Sequence, residues 1–119
     1  MGAPVVHFEI IGKDAKKLHK FYGELFDWKI DANNPMNYGL VNSQRETNSI
    51  GGGISADPEG GPGHVTIYIE VDDPQAYLNR AEKMGGKTVM PVTEIPNMVT
   101  FALFADPEGH VVGLVKSEQ

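Results

Sequence analysis

One pattern occurs twice in this chain, and it limits the possible folds more than any other feature. Pro4-Val-Val-His-Phe-Glu-Ile-Ile11 is an apolar strand pattern that leads to Asp14 and an amphipathic helix, and Val65-Thr-Ile-Tyr-Ile-Glu-Val71 leads in the same way to Asp73 and a second helix. Short strand-like runs divided by turn residues follow each helix. With Asp14 laid on Asp73, His7 falls on Thr66, Glu9 on Tyr68 and Ile11 on Glu70, a period of about 59 residues. A half-chain of that size buries too little apolar surface to stand alone. The halves must therefore pack together or against another copy. This predicts one domain over residues 1–119, with module one over about 4–56, a Pro/Gly linker over about 57–63 and module two over about 64–116.

Periodicity assigns the elements. Alternation in Val5 to Ile11 puts Val6, Phe8 and Ile10 on one face and His7, Glu9 and Ile11 on the other, as in a strand with one face under a helix. From Asp14, a plausible N-cap, Leu18, Phe21, Tyr22, Leu25 and Phe26 form an apolar stripe at helical spacing. Strands are expected near 28–32, 36–42 and 49–55, parted by Asn33-Asn34-Pro35 and by the polar stretch from Ser43 to Asn48. In the second half, Val65, Ile67, Ile69 and Val71 alternate with His64, Thr66, Tyr68 and Glu70. That second face reads as too polar for dry core. Asp73-Pro74 starts the second helix and Gly85-Gly86 ends it, ahead of strands near 87–94, 98–105 and 110–116.

Composition removes several functions. A net charge of −6 with no basic patch argues against nucleic acid and anionic membranes as partners. The chain has no cysteine, which excludes disulfides, thiolate metal sites and a Cys nucleophile. No apolar run reads as a signal peptide or a membrane span, so a cytoplasmic location is expected.

Taken in order, His7 with Asp14 seven residues later, Phe21-Tyr22, Leu25-Phe26-Asp27-Trp28, Glu70-Val-Asp-Asp73 and the terminal Asp106-Pro-Glu-Gly-His-Val-Val-Gly-Leu114 resemble the vicinal oxygen chelate superfamily. That superfamily includes glyoxalase I, extradiol dioxygenases and bleomycin- or fosfomycin-resistance proteins. The resemblance is to its uncharacterised glyoxalase-like branch. It implies an α+β fold of two βαβββ modules, a curled mixed sheet enclosing a cavity, helices on the outer face, and commonly a homodimer. It also implies a divalent metal held by the first and last strands of each module, working as a Lewis acid or as an oxygen-activating iron.

Carried onto this sequence, the implied ligand positions fall on His7, on Thr66, within Gly51-Gly52-Gly53 and on Gly113, seven residues after Asp106. Only His7 is a good ligand. Glyoxalase I activity is therefore not expected, and no cofactor is expected. His7, Glu9 and His64 are of types that suit Zn, Mn, Fe or Ni and form a substitute set, against the plainer reading in which they hydrogen-bond one another.

The candidate catalytic residues are His7, Glu9 and Glu70, since a desolvated carboxylate beside an imidazole can move protons. Tyr68, Thr66, His64 and Trp28 are candidates for ligand binding, and Trp28, Met36, Met90 and Met98 for lining the cavity. His19 and His110 read as a helix-surface and a turn residue. Gly51-Gly52-Gly53 reads as close backbone approach or a bulge rather than a phosphate cradle. Two functions follow: an atypical small-molecule enzyme without the usual metal ligands, or a non-catalytic ligand-sequestering protein of the bleomycin-resistance type.

Overall fold

The computed structural model describes residues 2–34, 37–42 and 49–117. Pro35, Met36 and the stretch from Ser43 to Asn48 lie outside the described residues, and with them the first residue of the strand expected near 36–42. The chain separates into two compact units, His7–Val65 and the residues up to Val6 together with those from Thr66 onward.

In the first unit, β1 (Val5–Gly12) leads into α1 (Ala15–Phe26), β2 (Lys29–Asp31), β3 (Gly39–Asn42) and β4 (Gly51–Ala56). The strand order is β2-β3-β4-β1. β4 runs parallel to β1 with Glu9 beside Gly53, and antiparallel to β3. The Asp14 carboxylate accepts the Lys17 N–H at 3.1 Å and so caps α1 as the sequence predicts. Asp27 closes the helix in the left-handed region at φ 59.

The apolar stripe of α1 is less covered than its spacing implies. Phe21, Leu25 and Phe26 are 57, 59 and 53 % exposed, and α1 has no fully buried residue. What it does cover is aromatic. Tyr22 stacks on Trp28 at 5.9 Å between centroids, and Trp28 leans on Phe8 at 5.5 Å. His19 is a correction. It is half-buried rather than a surface residue, and its Nε2–H donates to the Ile54 carbonyl at 2.7 Å, tying α1 to β4.

In the second unit, β5 (His64–Val71, its first two residues counted with the first unit) leads to α2 (Pro74–Lys83), β6 (Lys87–Ile95), β7 (Val99–Ala105) and β8 (Val111–Lys116), in strand order β5-β8-β7-β6. β8 is parallel to β5, with Tyr68 beside Gly113. Because Glu9 overlays Tyr68 in the repeat, Gly53 and Gly113 are equivalent positions of the two modules. The core holds Val71, Leu78, Ala102 and Leu114, flanked by Ile69, Tyr77 and Phe104. Leu78 is 2 % exposed, a burial that stabilises by about 1.5–3 kcal/mol. Register shifts in β6 surround Pro91, which cannot donate to a ladder and so sits at an irregular edge.

Over its first half, β5 reverses the expected burial of its faces. Thr66 and Tyr68, assigned to the wet face, are 4 and 6 % exposed, whereas Val65 and Ile67, assigned to the core face, are 73 and 41 % exposed. The buried pair makes two contacts. The Thr66 hydroxyl donates to the Val111 carbonyl, and the Tyr68 ring lies over Gly113, where a side-chain β-carbon would overlap it. The opposite face is covered only along Ile69 and Val71, which belong to the α2 core, and its first residues are left open.

The turn Asp106-Pro-Glu-Gly109 joins β7 to β8 as the sequence predicts, with Asp106 accepting the backbone N–H groups of Glu108 and His110. Among the described residues, no helix is long and apolar enough to cross a membrane.

Candidate functional site

Strand alternation sends His7 and Glu9 out of the same face of β1, the side opposite Phe8 and the aromatic layer under α1. Gly51-Gly52-Gly53 runs alongside in β4. Each of the last two glycines clears room for a ring: a β-carbon at Gly52 would overlap Phe8, and one at Gly53 would overlap Tyr38. The triple is therefore a close-approach feature, with one aromatic ring on each face of the sheet.

Tyr38 is the residue that sequence reasoning missed. The Asn34 side chain clamps its backbone, accepting the Tyr38 N–H at 3.0 Å and donating to its carbonyl at 2.8 Å. With that anchor the ring crosses Gly53 and its hydroxyl arrives between the two β1 side chains. It donates to Glu9 Oε2 at 2.9 Å and lies 3.0 Å from His7 Nε2. The other carboxylate oxygen, Oε1, accepts from His64 Nε2 at 3.3 Å. His7, Tyr38, Glu9 and His64 thus form one hydrogen-bonded chain inside the first unit.

The chain is graded in exposure. The Glu9 side chain is 14 % exposed and that of His64 is 39 % exposed. Burial pushes the His7 imidazole below its ordinary range, outweighing the Glu9 carboxylate, which draws it up. A largely neutral imidazole facing a carboxylate through a phenol can accept and pass on protons.

Trp28 belongs to the Tyr22, Phe26 and Phe8 cluster and so stands on the other face from His7 and Glu9. Thr66, Tyr68 and Glu70 belong to the second unit. Thr66 and Tyr68 are buried, and Glu70 is half-buried, with its backbone N–H donating to the Pro4 carbonyl at 2.9 Å. Met90 and Met98 are 38 and 46 % exposed. Met36 lies outside the described residues. His110 Nδ1 pairs with Asp106 Oδ2 at 3.0 Å within the turn.

The side chains present do not fit the metal centre that the resemblance implies. At the positions of the missing ligands, the Gly53 and Gly113 backbones lie under the Tyr38 and Tyr68 rings, and the Thr66 hydroxyl is committed to a carbonyl. Nor do His7, Glu9 and His64 make a substitute, because the Tyr38 hydroxyl stands between His7 and Glu9. Among the described residues, no three His, Asp or Glu side chains are grouped to hold a metal ion.

Residues 5–114 match the family model of the glyoxalase/bleomycin resistance protein/dioxygenase superfamily. The chain belongs to this superfamily. A glyoxylase-like domain-containing protein of Didymella fabae is 32 % identical over 113 residues, covering 86 % of this chain and 84 % of its own length. CFP32 of Mycobacterium bovis, which its name assigns provisionally to the glyoxylases, is 33 % identical over 106 residues. That match covers 85 % of this chain but only 41 % of CFP32, so the chain spans about two fifths of that relative. Among solved structures, a hypothetical protein of Bacillus halodurans superposes with a TM-score of 0.67 at 12 % identity, over 100 % of this chain and 97 % of the other. Methylmalonyl-CoA epimerase of Mycobacterium tuberculosis gives 0.65 at 14 % identity, over 97 and 88 %. At such identities these superpositions establish the fold: α+β, with paired βαβββ modules.

Proposed function

We propose that this superfamily member is an atypical enzyme that binds a small oxygenated or aromatic molecule on the His7–Glu9 face of the first module and moves a proton on it without the family's metal. The observation that carries this reading is the His7–Tyr38–Glu9–His64 chain. It joins a half-buried neutral imidazole to a carboxylate and ends at a partly exposed histidine. General acid–base groups of this kind contribute about 10²–10⁴-fold to a rate. The protein is further read as a cytoplasmic homodimer, a state supported by the exposed apolar residues of α1 and β5.

Solvent deuterium incorporation tests the chemistry. The protein is incubated in D2O with a panel of 2-oxo and 2-hydroxy carbonyl compounds, and exchange at carbon is followed by proton NMR. Exchange on at least one compound is expected, falling by about 10²-fold or more in Glu9→Gln. Undiminished exchange in that variant would remove Glu9 from the chemistry.

The second reading is ligand sequestration without turnover, and the net charge of −6 favours a cationic ligand for it. A compound that raises the melting temperature yet neither exchanges nor reacts would favour this reading.

A further inference from the structure

The core of the second unit is open on one side. Ile69, Val71, Phe104 and Leu114, which form part of that core or pack on it, also line a cavity of about 320 Å³ at α2. Every residue that lines the cavity belongs to the second unit. It meets solvent beside Arg80 and Met84, both exposed. Wall atoms of such a cavity lack dispersion partners on one side, and apolar cavities take up apolar molecules in preference to water.

One lining side chain is charged, that of Arg80, and none is acidic. Arg80 makes no ion pair among the described residues. The Glu82 carboxylate, two residues along α2, accepts the Thr88 hydroxyl at 2.6 Å instead. The Arg80 guanidinium lies over the Tyr77 ring, 5.3 Å from its centroid. A guanidinium lodged on an aromatic ring keeps its planar fork of N–H donors for a second partner, and a carboxylate matches that fork.

We propose that this cavity binds a small apolar monocarboxylate, with its hydrocarbon part against Ile69, Val71, Phe104 and Leu114 and its carboxylate on Arg80. At the roughly 30 Å³ that one water-sized group takes in a liquid, the space admits about ten non-hydrogen atoms. Met84, the cap residue that ends α2, brings an unbranched, polarizable chain to the mouth, a type that adapts to ligands of varied outline. The net charge of −6 opposes an anion at long range, but at physiological ionic strength screening over about 8 Å leaves the contact with Arg80 to decide. The site goes beyond the proton-transfer reading. It shares no residue with the His7–Tyr38–Glu9–His64 chain, so either stands if the other fails.

Hexanoate and its neutral counterpart hexan-1-ol are the probes. Each is titrated into protein carrying 13C-methyl methionine, and the methionine resonances are followed by proton–carbon correlation. With hexanoate the Met84 methyl should move and saturate with a dissociation constant below about 10 mM, while Met90 and Met98, which do not line the cavity, stay in place. Hexan-1-ol should bind about five- to ten-fold more weakly. Arg80→Gln, a change at an exposed helical position, should weaken hexanoate by the same factor and leave the alcohol unchanged.

An alcohol that binds as tightly as the acid would overturn the proposal, as would an Arg80→Gln protein with wild-type affinity for hexanoate. Equal movement of Met84, Met90 and Met98 would reduce the effect to general surface binding and overturn it too. So would a Met84 resonance unmoved at about 50 mM hexanoate. If that resonance then shifted on dilution of the protein, the cavity would be assigned to a second copy of the chain instead.

Discussion

Single side chains set the polarity of the first module's His7–Glu9 face. Glu9 meets Tyr38 on one oxygen and His64 on the other, and the imidazole of His7 is kept neutral by burial. That burial makes folding sensitive to pH in a stated direction. The His7 pKa is lowered in the folded chain, so below about pH 6.5 the unfolded chain takes up the proton more readily. The His7 contribution is then unaffected above that pH. Stability is lost as pH falls from about 6.5 to the lowered folded value, and the loss is complete below it. Urea unfolding of wild type and His7→Gln between about pH 7.5 and 5.5 should show a shallower fall in the variant across that window. Parallel curves would mean that burial of His7 has no energetic weight.

At the scale of strands and helices, the two modules solve one packing problem in the same way. Equivalent glycines, Gly53 in β4 and Gly113 in β8, each lie under a tyrosine ring, but Tyr38 comes from the approach to β3 and Tyr68 from the neighbouring strand β5. The parallel β5/β8 pair thus depends on the absence of a side chain at Gly113. Gly113→Ala should destabilise the chain by about 1–3 kcal/mol, the usual range for overpacking, as measured by urea titration. Combining it with Tyr68→Leu should cost clearly less than the sum of the two single changes, because the leucine vacates the space the new methyl needs. Strict additivity would show that the ring and the glycine are not coupled. Helix α1 differs from α2 in the same terms: both are capped by aspartate, but α2 buries Leu78 whereas the stripe of α1 stays largely open.

For the whole molecule, that openness has a consequence. Phe21, Leu25, Phe26 and Val65 are all more than half exposed on a single chain, an arrangement that apolar side chains keep when a second surface covers them. Multi-angle light scattering at micromolar concentration should give twice the mass of one chain, and Leu25→Glu should shift the particle toward the single-chain mass. A wild-type protein that runs as a monomer at that concentration would overturn the homodimer. A Leu25→Glu protein that remains a dimer would leave the dimer in place but exclude the α1 stripe as its contact.

Local periodicity by itself determined much of this protein. The repeat, the strand and helix positions, the Asp14 and Asp73 caps and the shared face of His7 and Glu9 are all legible, because each depends on residues close in the chain, and the family resemblance adds the lack of its ligands at Thr66 and Gly113. The tertiary structure decided the rest. Tyr38 reaches Glu9 across 29 positions of sequence and His19 reaches Ile54 across 35. No local pattern states which strands pair or in what register, and without register the glycines could not be matched to the rings they admit. For the same reason the polar-looking face of β5 misleads: alternation tells which side chains share a side, but not that Thr66 meets the Val111 carbonyl and Tyr68 lies over Gly113, both buried.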